Sequence, residues 1–165
     1  MRLFLVRHGL AEDVGPDGTD AARRLTAEGR KRIHAAALGL RGRGVRPDVL
    51  LTSPVTRALE TALILGEVLE QSPQSVAALQ TGSSPQAVVR ALAAFEASGR
   101  VLVVGHEPTL SEVVALLLTG TPRGLAVRFK QGTCVALDVA TLTSTPVAAL
   151  RWMATARQLA GRRPS

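Results

Sequence analysis

Arg7 and His8 follow a short apolar run at residues 3–6, and His106 follows another at residues 101–104. Two of the three histidines in the chain therefore stand where a buried strand would end. A third apolar run, residues 49–52, leads into Ser53 and then Arg57. Open α/β sheets bind their ligands in the crevice beyond the carboxyl ends of the strands. If these runs are neighbours in one sheet, they deliver two arginines and two histidines to a single crevice.

That set has a definite chemistry. Arginine is always charged, and its fork of N–H donors matches the oxygens of a phosphoryl group. A neutral imidazole can attack phosphorus and carry the group as a phosphohistidine, which divides one hard transfer into two easier ones. Neighbouring cations offset charge on the equatorial oxygens as the group moves in line. There is no Walker-type glycine loop, and the histidines lack metal-ligand spacing. The expected reaction is that of a covalent phosphatase with no metal and no cofactor. The plainer alternative is that each histidine is a structural hydrogen-bonding residue; its repetition at two strand exits favours the chemical reading.

The elements that must position these groups can be placed along the chain. Neighbouring side chains of a regular strand face opposite ways, so Arg7 and His8 need a change of direction, and Gly9 is expected to permit the turn. Residues 11–24 read as a polar loop over the rim of the first strand. A helix opens after Thr26, its expected cap, with Glu28 in the first turn and Ile33, Ala36, Ala37 and Leu40 as the buried stripe. His34 falls beside that stripe and is expected to be partly exposed. Residues 41–47 form a basic, glycine-rich turn. Ser53 before Pro54 has the pattern of a helix cap and first helical residue. This places Arg57 in the first turn, with Ala58, Leu59, Ala62, Leu63 and Leu69 on the apolar face. An arginine there opposes the helix dipole but strengthens the anion attraction of a helix start.

Residues 71–85 read as a loop with a short extended piece, and residues 85–96 as a helix capped by Ser84. A helix over 109–118 would be capped by Thr109 or Ser111. Residues 126–130 and 134–139 read as two strands joined through Gln131 and Gly132. Residues 147–153 form a last strand, and the tail from about residue 160 should fray.

Composition narrows the class. The chain has 165 residues, 46% of them hydrophobic, which suits a single domain spanning 1–165 with one sizeable core. Aromatics make up only 2%, so the core must be built from Leu, Val and Ala. Cys134 is the single cysteine and has no internal disulfide partner, which fits a reducing cytoplasm. No signal peptide and no apolar run of transmembrane length are legible, so a membrane location is not expected. The net charge of +7 points to anionic partners, but scattered arginines and few stacking aromatics argue against nucleic acid. A monomer is expected.

The chain resembles the histidine phosphatase superfamily, whose fold is that of the phosphoglycerate mutases. The likeness rests on Leu5-Val6-Arg7-His8-Gly9, on the stretch from Thr52 to Ala62, and on Val104-Gly105-His106-Glu107-Pro108. The short length, the run from Arg23 to Gly29, and Arg46-Pro47-Asp48 look like the small SixA-type phosphohistidine phosphatases. The resemblance fades after Leu118. It implies a three-layer α/β/α sandwich around a mostly parallel sheet. It also implies that His8 is the nucleophile, while Arg7, Arg57 and His106 bind the phosphoryl group.

Substrate choice then turns on a proton. An ester releases an alkoxide, a poor leaving group that calls for a carboxylic acid, whereas phosphohistidine releases an imidazole and needs little acid help. Glu107 and Glu12 are the candidate acids, and Glu107 stands where the acid-phosphatase branch of the superfamily has its catalytic aspartate. Its structural alternative is a carboxylate favouring the helix start. The chain has little room for inserts that would wall the pocket. The expected substrate is therefore a phosphohistidine-bearing protein, with a small phosphoester as the alternative class. Glu60 would pair with Arg57 one turn away, and Asp20 and Arg23 could touch a substrate from the rim. A phosphate-binding module without turnover is the remaining reading, disfavoured because all four core residues are present.

Overall fold

Strand periodicity sorts the inner side chains into two layers, and this is what builds the molecule. The computed structural model describes residues 1–143 and 147–161. The expected frayed end lies largely outside the described residues. The strands are β1 (Arg2–Arg7), β2 (Val49–Thr52), β3 (Pro73–Ser75), β4 (Arg100–Gly105), β5 (Cys134–Thr141) and β6 (Val147–Ala154). They form one sheet in the order β3-β2-β4-β1-β5-β6. The first four in that order are parallel, and β5 and β6 complete the sheet in antiparallel pairings.

Among the described residues five α-helices cover the sheet: α1 (Ala27–Gly42), α2 (Thr56–Leu69), α3 (Pro85–Ala93), α4 (Thr109–Thr119) and the short α5 (Ala156–Leu159). Phe4, Val6, Leu50, Leu102 and Val104 face α1 and α2, where they meet Ile33, Leu40, Ala58, Ala62 and Leu65. The alternate residues Leu3, Leu5, Leu51, Val101 and Val103 face α3 and α4, against Val88, Leu92, Leu110 and Val113. Period-two alternation thus divides each buried run between two helical layers. The expected α/β/α sandwich around a mostly parallel sheet is present. No helix among the described residues is long and apolar enough to cross a membrane.

The path of the chain determines where a ligand can sit. From β1 it crosses one face through α1 to β2, and through α2 to β3. It returns through α3 on the other face to β4, which slots between β2 and β1. The loops leaving β1 and β4 therefore diverge to opposite faces, which opens a crevice between two adjacent strand ends.

Several local expectations need correction. Residues 126–130 do not form a strand; the neighbours of β5 are β1 and β6, so both of its edges are taken. Phe129 instead buries its ring in the core below β1. The helix after β2 begins at Thr56 with Val55 as its cap residue, so Ser53 does not cap it. Neither Thr109 nor Ser111 caps α4, which follows Pro108 without a side-chain cap bond from that residue. Leu63 lies 53% exposed, because the buried stripe of α2 follows Ala58, Ala62, Leu65 and Leu69. Residues 41–42 still belong to α1, and the helix expected over 85–96 ends at Ala93. Thr26 and Ser84 cap α1 and α3 as expected, accepting from the amides of Gly29 and Ala87, and His34 is exposed.

Candidate active site

β1 and β4 are paired in register with Arg7 opposite Gly105. The next residue of each strand is a histidine, so His8 and His106 leave the sheet side by side. Their ring centroids lie 5.1 Å apart, close to the spacing of the strands themselves. Arg57, in the first turn of α2, reaches over from the β2 side, with its Nε 3.3 Å from Nε2 of His8. Arg7 stands beside them and donates from Nη1 to the carbonyl of Phe129 at 2.7 Å. The structure thus brings together all four residues singled out from the sequence.

His8 is held in one tautomer. Its Nδ1 lies 2.8 Å from the carbonyl oxygen of Gly9. A carbonyl can only accept, so Nδ1 carries the hydrogen and Nε2 keeps its lone pair. Burial, with smaller contributions from the neighbouring His106 ring and the charges of Arg57 and Arg7, pushes the ring down to a pKa of about 3. The imidazole is neutral at any ordinary pH and can act as a nucleophile through Nε2. His106 is likewise neutral, lowered to about 4 chiefly by burial, with Arg57 adding to the effect.

Gly9 serves differently from the expectation. Its φ is not positive, so the turn does not need the left-handed region. A Cβ there would approach Cγ1 of Ile33 to 2.7 Å, so glycine is required by the close packing of α1. Its amide donates to Oγ1 of Thr61, which in turn donates to the carbonyl of Arg57. This short chain ties the loop that follows His8 to the helix that carries Arg57.

Ser53 is the residue that reading the sequence as a helix start concealed. Its hydroxyl lies 2.8 Å from Nε2 of His106 and accepts from the amide of Val55. A hydroxyl has a second lone pair, so it can donate to Nε2, with the ring hydrogen on Nδ1, or accept from it. That Nδ1 is buried without a hydrogen-bond partner, and so is Nε of Arg7. A buried polar group without a partner costs about 1–3 kcal/mol, and an oxyanion between the strand ends would satisfy both in the tautomer that carries its hydrogen on Nδ1. The signal in the sequence was only a serine at a strand exit. Ser53→Ala should lower kcat about tenfold to a hundredfold, the usual range for partners that orient a catalytic ligand, with little change in fold. Steady-state kinetics with circular dichroism would check this; kcat within twofold of wild type would remove Ser53 from the site.

The remaining candidates are placed as follows. Asp20 accepts from Nη2 of Arg57 at 3.1 Å through its carboxylate and from Nη1 at 2.8 Å through its carbonyl. It also pairs with Arg23, and these cations hold its carboxyl below the usual range. Glu60 does not pair with Arg57; it accepts from the Leu25 amide and from Arg30. Glu107 accepts from the amide and hydroxyl of Ser111, so it secures the first turn of α4. Burial raises its pKa. Glu12 is exposed on the strap formed by residues 11–25, and its carboxylate accepts from the Arg24 amide. Among the described residues no group of three or more His, Cys, Asp or Glu is placed to hold a metal ion. A groove of about 690 Å³ lies at the other end of the sheet, lined by Arg2, Asp48, Arg100 and Asp138 among others, away from the histidines.

The depressed histidines have a consequence for stability. In the unfolded chain they protonate near 6.5, but in the folded chain only near 3 and 4. Between those values the unfolded state binds more protons, so stability falls as pH drops from about 6.5 toward 4. A Tm that declines over this window in wild type, and declines less in a His8→Ala, His106→Ala double variant, is the expected result of a thermal scan at several pH values.

Comparison with known proteins bears on the family. Residues 3–81 match the sequence model of the histidine phosphatase superfamily (branch 1). An uncharacterized protein of a Picosynechococcus strain is 36% identical over 115 residues, covering 68% of this chain and 70% of that protein. The structure of the protein histidine phosphatase SixA complexed with tungstate superposes with a TM-score of 0.84 at 26% identity, covering 96% of this chain and 99% of that one. A candidate SixA of Nakamurella multipartitia gives a TM-score of 0.76 at 28% identity, with coverage of 93% and 94%. A mycobacterial glucosyl-3-phosphoglycerate phosphatase, at 19% identity, a TM-score of 0.70 and coverage of 94% and 98%, shares the fold. With its two histidines and two arginines gathered at one sheet edge, the chain belongs to the histidine phosphatase superfamily and is a phosphatase by class.

Proposed function

We propose that this chain is a phosphohistidine phosphatase that needs no metal and uses His8 as a covalent nucleophile. The observation that carries this reading is the pair of unpartnered buried nitrogens, Arg7 Nε and His106 Nδ1, beside a neutral imidazole whose Nε2 keeps its lone pair and accepts from Nε of Arg57, the bond an incoming phosphoryl group would displace. Nε2 of His8 forms a bond to phosphorus as the bond from phosphorus to the substrate imidazole breaks; the departing nitrogen takes a proton from water. Water then attacks the phosphoryl-His8 intermediate, its oxygen bonding to phosphorus while the bond to Nε2 breaks, and inorganic phosphate leaves. Arg7, Arg57 and His106 hold the equatorial oxygens in both steps. The likeness in fold and sequence to SixA supports phosphohistidine as the substrate.

The competing reading is hydrolysis of a small phosphoester with Glu107 as general acid. Its raised pKa favours it; the engagement of both its oxygens by Ser111 counts against it. Phosphate release in the presence of EDTA separates the two, measured from a phosphohistidine-bearing peptide and from an aryl phosphate. We expect fast release from the peptide, weak release from the ester, and a Glu107→Gln variant within about twofold of wild type on the peptide. Efficient ester hydrolysis that collapses in Glu107→Gln would replace the phosphohistidine reading with the esterase one.

A further inference from the structure

The site is flanked by two loops of opposite charge. Across the strand ends the order is β2, β4, β1, β5, so His106 and His8 lie in the middle. On the β2 side the strap carries Glu12, Asp13, Asp17 and Asp20 against Arg23 and Arg24, four acids to two cations. Asp20 anchors it to Arg57, and the carbonyl of Ala21 accepts from the Thr56 amide. On the β5 side, residues 113–137 contain no acid at all and three cations, Arg123, Arg128 and Lys130. All three are exposed, and none has an ion pair or side-chain hydrogen bond among the described residues.

The basic loop is bonded to the catalytic segment. Arg7 donates to the carbonyl of Phe129, between Arg128 and Lys130 in sequence. The Gly132 amide donates to the carbonyl of Arg7, and the Arg7 amide donates to that of Thr133. Gly132 has φ +71, which glycine adopts readily, and that lets the loop close against β1. Arg128 and Lys130 flank the bonded Phe129 carbonyl and are therefore held beside Arg7, while Arg123 and the 41% exposed Leu125 lie earlier in the same loop.

We infer that residues 121–131 form a docking surface for the acidic face of a phosphohistidine-bearing protein, and that the acidic strap opposite sets the orientation in which that partner presents its phosphoryl group. This rests on the function proposed above. Three unpaired cations on one side would attract a carboxylate cluster, while the strap would repel it. A partner with acids on one flank of its phosphohistidine then has one favoured approach. Charge complementarity of this kind raises association rates and specificity more than it affects the chemical step, and salt screens it.

The test uses three substrates: the phosphoramidate ion, and two phosphohistidine peptides of equal length, one with four glutamates beside the phosphohistidine and one with four lysines. Wild type should turn over the glutamate peptide with kcat/KM about tenfold or more above the lysine peptide at low salt, with the ratio shrinking as salt rises. The combined Arg123→Glu, Arg128→Glu, Lys130→Glu variant should lose or invert that ratio while keeping its rate on phosphoramidate. Equal turnover of both peptides by wild type, or a ratio unchanged in the variant, overturns the docking surface and leaves the phosphatase reading intact. A variant that is slower on phosphoramidate by the same factor as on the glutamate peptide also overturns it, because the loop would then act through Arg7. Turnover of neither peptide alongside brisk ester hydrolysis overturns the phosphohistidine substrate itself.

Discussion

His8→Ala should abolish turnover, with kcat falling by about 10⁴ to 10⁶, the range seen when the nucleophile of a covalent enzyme is removed. The size of the effect follows from the site. His8 is the histidine whose tautomer is fixed with the lone pair on Nε2, held only by a long bond from Nε of Arg57 that an incoming phosphoryl group can displace. His106 has its Nε2 engaged with Ser53. The same variant should still bind phosphate or tungstate within a few fold of wild type. The forks of Arg7 and Arg57 and the Nδ1 of His106 all remain, and removal of the ring leaves room for the anion. Quenched-flow labelling with a radioactive phosphoryl donor, followed by alkaline work-up that preserves phosphohistidine, should label wild type and leave the variant blank. Labelled protein in His8→Ala, or residual kcat above a hundredth of wild type, would rule out a covalent step on this residue.

Arg57→Ala should cost kcat about 10² to 10³, the usual loss when a preorganised donor to the transition state is removed. Arg57 is only 4% exposed, so its charge acts in a poorly solvated place. Arg57→Lys should recover little of the loss, since a lysine offers a point charge in place of a fork. A second readout distinguishes electrostatic action from simple support of the fold. Arg57 is among the charges that depress both histidines. Without it their pKa values rise, so the acid limb of the rate profile should move to higher pH in Arg57→Ala. An acid limb that stays in place would mean that Arg57 does not act on the rings. Loss of the arginine also releases Asp20, whose side chain is 59% exposed and remains solvated on its own, so the fold should tolerate the change.

Much of this protein was decided locally and could be read from the chain alone. Apolar runs of four residues bounded by turn residues became β1, β2 and β4, because a run buried on both faces has few other ways to satisfy its backbone. Thr26 and Ser84 capped their helices because a cap bond joins residues three apart. Arg7, His8, Arg57 and His106 stood out by type and by position at strand exits, and the structure gathers them in one crevice. Tertiary structure alone decided how these pieces meet. The register that sets Arg7 opposite Gly105 makes the two histidines neighbours, and no local pattern encodes it, since the paired residues are some hundred positions apart. Ser53 had every local mark of a helix cap, yet it serves His106, because the crevice brings an imidazole nitrogen within reach. Residues 126–130 had strand-like composition, but β1 and β6 had already taken both edges of β5, so the segment became the rim loop that Arg7 holds by the Phe129 carbonyl. Gly9 was required by the closeness of Ile33 on α1. In each case the deciding partner lies far away in sequence, and competition among such partners is settled only when the sheet has formed.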